Sequence, residues 1–249
     1  MLNYIDADIK RILKKIMFLL TSGLFICLFI LMLFIKNGST YKTDTLIEDI
    51  RNFSSWFPFI VGLPIFLSVF ADDLNAKTMQ VAIGFGISRN KVILSKLIET
   101  VVLSLLICVV SIVAMIFMPI VMGLKFNTTQ VYTIVVTMII EVIHLVGFIS
   151  IGMPFVFFSQ NTTGGLIIYV LLSSKMAQII LSLILENEFI TNIFGHASKY
   201  LLTLNLYYWR NNILAMGNII TIEILVTAFY ILLLVILTIY LFKDSELEF

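Results

Sequence analysis

Glu141 and His144 stand three residues apart inside a long apolar run, so an α-helix would place both on one face. Lys175 lies midway along the next apolar run, Glu223 near one end of the last, and Glu99 close to the polar boundary of an earlier one. An ionised side chain in the middle of a bilayer is costly, so Glu141 and Lys175 must be paired or line water. Three kinds of chemistry fit: a structural Glu141–Lys175 pair between neighbouring helices, a polar substrate path, or a proton relay through His144. Glu141 and His144 alone supply too few ligands for a metal. Cys27 and Cys108 both fall in apolar runs, with no CxxC pair, and read as buried thiols. No nucleophile–base constellation stands out. Gly84-x-Gly86 is a turn signal and lacks the GxxxxGK[ST] spacing of a phosphate-binding loop, so no ATP site is expected on this chain.

The elements that must carry these residues follow from composition. The 249 residues are 60% apolar and 12% charged, with a mean hydropathy of +1.08. A soluble domain carries about 25% charged residues. That much apolar surface requires lipid as solvent, where every backbone polar group must be paired within its own segment or around a closed barrel. The runs are long and do not alternate, which selects helices over barrel strands. A net charge of +1 with scattered cations gives no nucleic-acid signal.

Six spans are expected, at 17–35, 56–71, 97–122, 131–158, 164–185 and 219–242. The first is followed by Lys36-Asn37-Gly38-Ser39 without a small-residue cleavage site and reads as a retained helix. Residues 1–16 place Leu2, Ile5, Ile9, Ile12, Leu13 and Ile16 among Asp6, Asp8, Lys10, Arg11, Lys14 and Lys15, the pattern of a helix lying in the headgroup region. Residues 36–55 read as a mixed-charge loop. Trp56-Phe57-Pro58 marks an interface boundary, and Pro64 should kink the second span. Residues 186–218 are too apolar for a free loop and too interrupted by Glu188, His196, Lys199 and Arg210 for a span. They should form short helices dipping into or lying on the outer leaflet. The whole chain is thus expected to be one all-α transmembrane domain. Lys10, Arg11, Lys14, Lys15, Lys77, Arg89, Lys91, Lys96 and Lys243 fall on the side of the termini. Lys36, Lys42, Arg51, Lys125, Lys199 and Arg210 fall on the other. This bias puts both termini in the cytoplasm.

One polar interruption, 72–96, then becomes a cytoplasmic elbow. Leu74, Thr78, Val81, Ala82 and Phe85 recur at helical spacing, Gly84 and Gly86 permit a tight turn, and Ser88 can cap a helix beginning near Arg89. A solvated loop has no use for such an apolar face; a helix that presents one fits a groove on another protein or the membrane surface.

The pattern Asp73-x-x-x-Lys77-Thr78, then Gly86-Ile87-Ser88-Arg89, then Lys96 resembles the hallmark of ABC-2-type transporter permeases, with Asp73 where Glu is usual and Lys77 where Gly is usual. The departures point to the bacterial permeases of peptide export and antimicrobial-peptide immunity. The six-span plan and the outer segment before the last span extend the resemblance over the whole chain. It implies a coupling helix at Asp72–Phe85 seated in a groove of a separate ABC ATPase, with Asp72, Asp73, Leu74, Lys77, Thr78, Val81, Phe85, Ser88 and Arg89 carrying the coupling. It also implies two ATPase copies, which bind the ATP and Mg, and a second permease chain, identical or homologous. This chain would then be a transport subunit and not an enzyme. It would sit in a bacterial plasma membrane and export an amphipathic or apolar substrate, a peptide first. The rival reading is a proton-coupled secondary carrier or intramembrane enzyme centred on Glu141, His144 and Lys175.

Overall fold

The computed structural model describes residues 2–36, 43–174, 176–187, 191, 195, 197–217 and 221–243. Among these residues every regular element is helical and no strand occurs. Five helices are long and apolar enough to cross a membrane. In chain order the elements are α1 (Leu2–Leu13), α2 (Ile16–Lys36), α3 (Thr43–Ser54), α4 (Phe57–Asn75), α5 (Thr78–Gly84), α6 (Arg89–Val121), α7 (Thr128–Ser159), α8 (Thr162–Ser173), α9 (Met176–Leu185), a 3-10 turn (Ala197–Tyr200), α10 (Leu202–Met216) and α11 (Ile222–Lys243). The five long helices are α2, α4, α6, α7 and α11.

Two expectations need correction. Residues 36–55 are not a loop: α3 occupies most of them, because Leu46, Ile50 and Ser54 recur every four residues and are buried on one face. Asp44 in its first turn and Arg51 in its last suit the helix dipole. The expected fifth span contains two shorter apolar helices, α8 and α9, with Ser174 at the C-cap of the first. Lys175 lies outside the described residues, as do the expected intramembrane pairing and path roles of that side chain. The outer segment is helical in its described part, with α10 as its main element.

The chain divides into two compact units, residues 1–69 with 94–145, and residues 70–93 with 146–249. In the first, Phe25 stacks on Phe53 with ring centroids 4.8 Å apart and meets Phe57 edge-on at 5.3 Å, while Phe29 lies 5.6 Å from Phe53. These rings fasten α2, α3 and the start of α4 into one apolar layer. Lys36 pairs with Asp49, and Gln130 Nε2 donates to Asp44 Oδ1 at 3.0 Å, which ties α3 to the ends of α2 and α7. α4 is irregular. It breaks at Val61 and tightens again over Gly62–Phe66 before a π-helical turn at Leu67–Ala71. Pro64 accounts for the break, because it has no N–H to offer the carbonyl of Ile60.

In the second unit Phe157 is the hub, 6.2 Å from Phe70 and 4.9 Å from Phe242. Asn205 on α10 is buried and donates through Nδ2 to the Glu223 carbonyl (2.8 Å) and Thr227 Oγ1 (2.9 Å) of α11. Asn212 Nδ2 adds a bond to Glu223 Oε1 at 3.0 Å. Gly147 packs closely on Leu202, since a Cβ there would lie 2.6 Å from a methyl of that side chain and require it to shift. Beside it an apolar cleft of about 210 Å³ is lined by Phe148, Ile151, Leu172, Tyr200 and Leu234 among others.

Candidate functional site

The elbow is built by two interruptions of helical geometry. α4 runs through Asp72 and Asp73 and ends at Asn75, so the acidic pair belongs to the end of the long helix and not to a separate coupling helix over 72–85. The chain then turns at Lys77, whose φ of 53° and ψ of 23° are left-handed. Side chains with a Cβ pay steric strain there, and glycine is the natural occupant. α5 follows and closes with Gly86 at φ 90°. The Gly86 N–H donates to the Ile83 carbonyl (2.9 Å) and the Ile87 N–H to the Ala82 carbonyl (3.1 Å), the paired bonds of a Schellman stop. Ser88 occupies the N-cap position of α6, its carbonyl accepting from the N–H groups of Lys91 (2.9 Å) and Val92 (3.2 Å).

This frame sorts the expected site residues into two sets. Val81 is 54% and Phe85 87% exposed, and Lys77 is exposed beside them. Together with Gly84 and Gln80 they line an open hollow on α5. Gln80 beneath them is buried, and among the described residues its Oε1 meets no donor. The other set faces inward. Ala82 is buried next to Met79, so it does not share the outward face of Val81 and Phe85 that the helical spacing suggested. Asp73 is wholly buried and its carbonyl accepts from Thr78 Oγ1 at 3.3 Å. Asp72, Leu74 and Thr78 are half-buried, and Ser88 is exposed.

Arg89 is committed within its own unit. Its Nη1 donates to the carbonyls of Phe242 (2.6 Å) and Lys243 (2.8 Å), and its guanidinium lies 5.3 Å from the Phe242 ring centroid. It thus neutralises the carbonyl end of α11, where the helix dipole is negative. This side chain ties the elbow to the last long helix.

The intramembrane polar residues behave differently from the elbow. Glu141 and His144 are buried and paired, with Glu141 Oε2 3.0 Å from His144 Nδ1. Their spacing on one helical face made this contact legible. Among the described residues no three His, Cys, Asp or Glu side chains gather where they could hold a metal.

Sequence reasoning missed one cluster. Glu99, expected to face headgroups, is fully buried, as is Lys96. Lys96 Nζ reaches Glu99 Oε2 at 2.9 Å and Asp8 Oδ2 at 2.6 Å. Asp8, expected on the wet face of the N-terminal helix, is buried between Ile5 and Ile12. The i, i+3 spacing of Lys96 and Glu99 is a signal that could have found the first contact; nothing local announces the second, across 88 residues.

Scans of protein-family models, curated proteins and solved structures give no match to this chain.

Proposed function

We propose that this chain is the membrane-spanning permease subunit of an ATP-binding-cassette exporter of the ABC-2 type, driven by a separate ATPase that docks on the elbow. The observation that carries the reading is Phe85, a large aromatic 87% exposed at the end of a short helix flanked by the cations Lys77, Arg89 and Lys91. Val81 extends that surface beside Phe85, and the two together supply the kind of apolar anchor found at interface centres. The left-handed turn before α5 and the Schellman stop after it hold that surface rigid, so a push on it is passed on as movement and not absorbed locally. Arg89 is the route by which such movement would reach α11.

Under this reading two ATPase copies bind ATP and Mg, a second permease chain faces this one, and both termini are cytoplasmic. The cargo is amphipathic or apolar, a peptide first. The apolar cleft beside Gly147 fits a cargo that favours hydrocarbon over charge. The test is affinity purification of the tagged chain from its native membrane. The wild-type chain should bring an ATPase with it, and Val81→Asp with Phe85→Asp should lose it while still inserting. Uphill substrate uptake into sealed vesicles by the purified chain alone would sink the reading in favour of a carrier centred on Glu141 and His144.

A further inference from the structure

We propose that Lys96 is a positioning residue that locks the N-terminal helix α1 onto the base of α6 through a buried, charge-balanced ion cluster, so that α1 rides with that helix as one body. Lys96 is 0% exposed, although a lysine stem is long enough to carry its ammonium to water from most buried positions. Its head is held instead by Asp8 Oδ2 at 2.6 Å and Glu99 Oε2 at 2.9 Å, and it lies 5.1 Å from the centroid of the Tyr4 ring. Arg11 Nε meets the other oxygen of Asp8 at 3.1 Å. Two cations, Lys96 and Arg11, thus balance two carboxylates, Asp8 and Glu99.

The stripe that α1 buries is Ile5, Asp8 and Ile12. Apolar packing by the two isoleucines is non-directional and lets a short helix slip or rotate at small cost. A carboxylate between them does not allow this. Turning α1 by one residue, about 100°, would carry Asp8 off Lys96 and leave a buried ammonium short of a partner. Buried ion clusters of this kind contribute less net stability than a well-packed apolar set, and their best-attested use is to fix register. The cluster belongs to one compact unit of the chain and stands whether or not the elbow docks a partner.

The experiment reads the burial of α1 directly. Ile12, which is fully buried, is replaced in an Ile12→Cys chain whose Cys27 and Cys108 are changed to Ala, and alkylation by a water-soluble maleimide is timed in native membranes. The parent should be protected. Lys96→Met should speed alkylation more than about tenfold, because Glu99 and Asp8 lose the buried cation between them. The full reversal Asp8→Lys, Arg11→Glu, Lys96→Glu and Glu99→Lys should restore protection, since it keeps every opposite-charge contact with the signs exchanged. The neutral set Asp8→Asn, Lys96→Met and Glu99→Gln should fold, and its α1 should still be labelled fast. Should Lys96→Met aggregate, the reversal and the neutral set decide alone. Protection of the neutral set equal to the parent, or failure of the reversal to restore protection, would overturn the proposal and leave α1 held by apolar packing.

Discussion

α1 and α5 are both short helices whose apolar residues recur every three or four positions, and the chain has put them to opposite uses. α1 turns its stripe inward and includes a carboxylate, Asp8, for which a buried lysine is provided. α5 turns Met79 and Ala82 inward and leaves Val81 and Phe85 outside. The difference separates closure from availability. The carboxylate in the stripe of α1 is met by cations of its own unit, Lys96 and Arg11, whereas α5 keeps a large apolar anchor in reserve. A helical pattern in the sequence reports that a face exists; only the partner groups around it report whether the face is already spent.

The comparison breaks most sharply under substitution. Lys96→Met removes the buried cation held between Glu99 and Asp8 and should lower stability by about 3–5 kcal/mol, seen as a large fall in the unfolding temperature of the detergent-solubilised chain. Val81→Asp with Phe85→Asp should do the reverse. Both side chains are largely exposed, so stability should move by no more than about 0.5 kcal/mol, while ATPase recovery in the purified complex should collapse. If the double variant unfolded the chain as Lys96→Met does, α5 would be an ordinary packed helix and the contrast would vanish.

Glu141→Gln should come next. The carboxylate is buried with its oxygen 3.0 Å from His144, so an amide weakens a charged hydrogen bond and should cost about 1–3 kcal/mol by thermal unfolding. Transport by the variant should keep its pH profile if the pair is structural. A displaced profile at unchanged stability would favour a proton relay.

What the sequence disclosed follows the range of the forces concerned. Long apolar runs announce helices because lipid leaves the backbone no other partner, and α2, α6, α7 and α11 fall where those runs fall. That Glu141 and His144 share a face was legible because a helix fixes what three residues of separation means, whereas the same spacing between Lys96 and Glu99 was passed over beside a polar boundary. The place of Asp8 was not legible, since its partner is set by how two distant helices pack. α3 was passed over because its charges masked a stripe as regular as that of α1: Leu46, Ile50 and Ser54. The inward turn of Ala82 was missed for a similar reason. Spacing groups it with Val81 and Phe85, and only the packing beneath α5 parts them.

The smallest effects lie at the two ends of α5, where the backbone and not the packing decides. Gly86 sits at φ 90° with open space where a Cβ would point, so Gly86→Ala meets no neighbour and suffers only the conformational penalty of a left-handed residue. That penalty is about 1–2 kcal/mol, and part of it would fall on the Schellman stop and loosen the surface that Phe85 presents.

Lys77 is the mirror case, a residue with a Cβ already held at φ 53°. Lys77→Gly removes the strain and also gives the unfolded chain more freedom, and the two terms oppose each other. The net should be a gain of less than about 1 kcal/mol, read as a small rise in unfolding temperature. Lys77→Ile should instead destabilise, because a β-branched side chain is a true outlier at positive φ. If Gly and Ile gave the same stability at this position, the left-handed turn would not be what sets the direction of α5. The rigidity attributed to the elbow would then need another source.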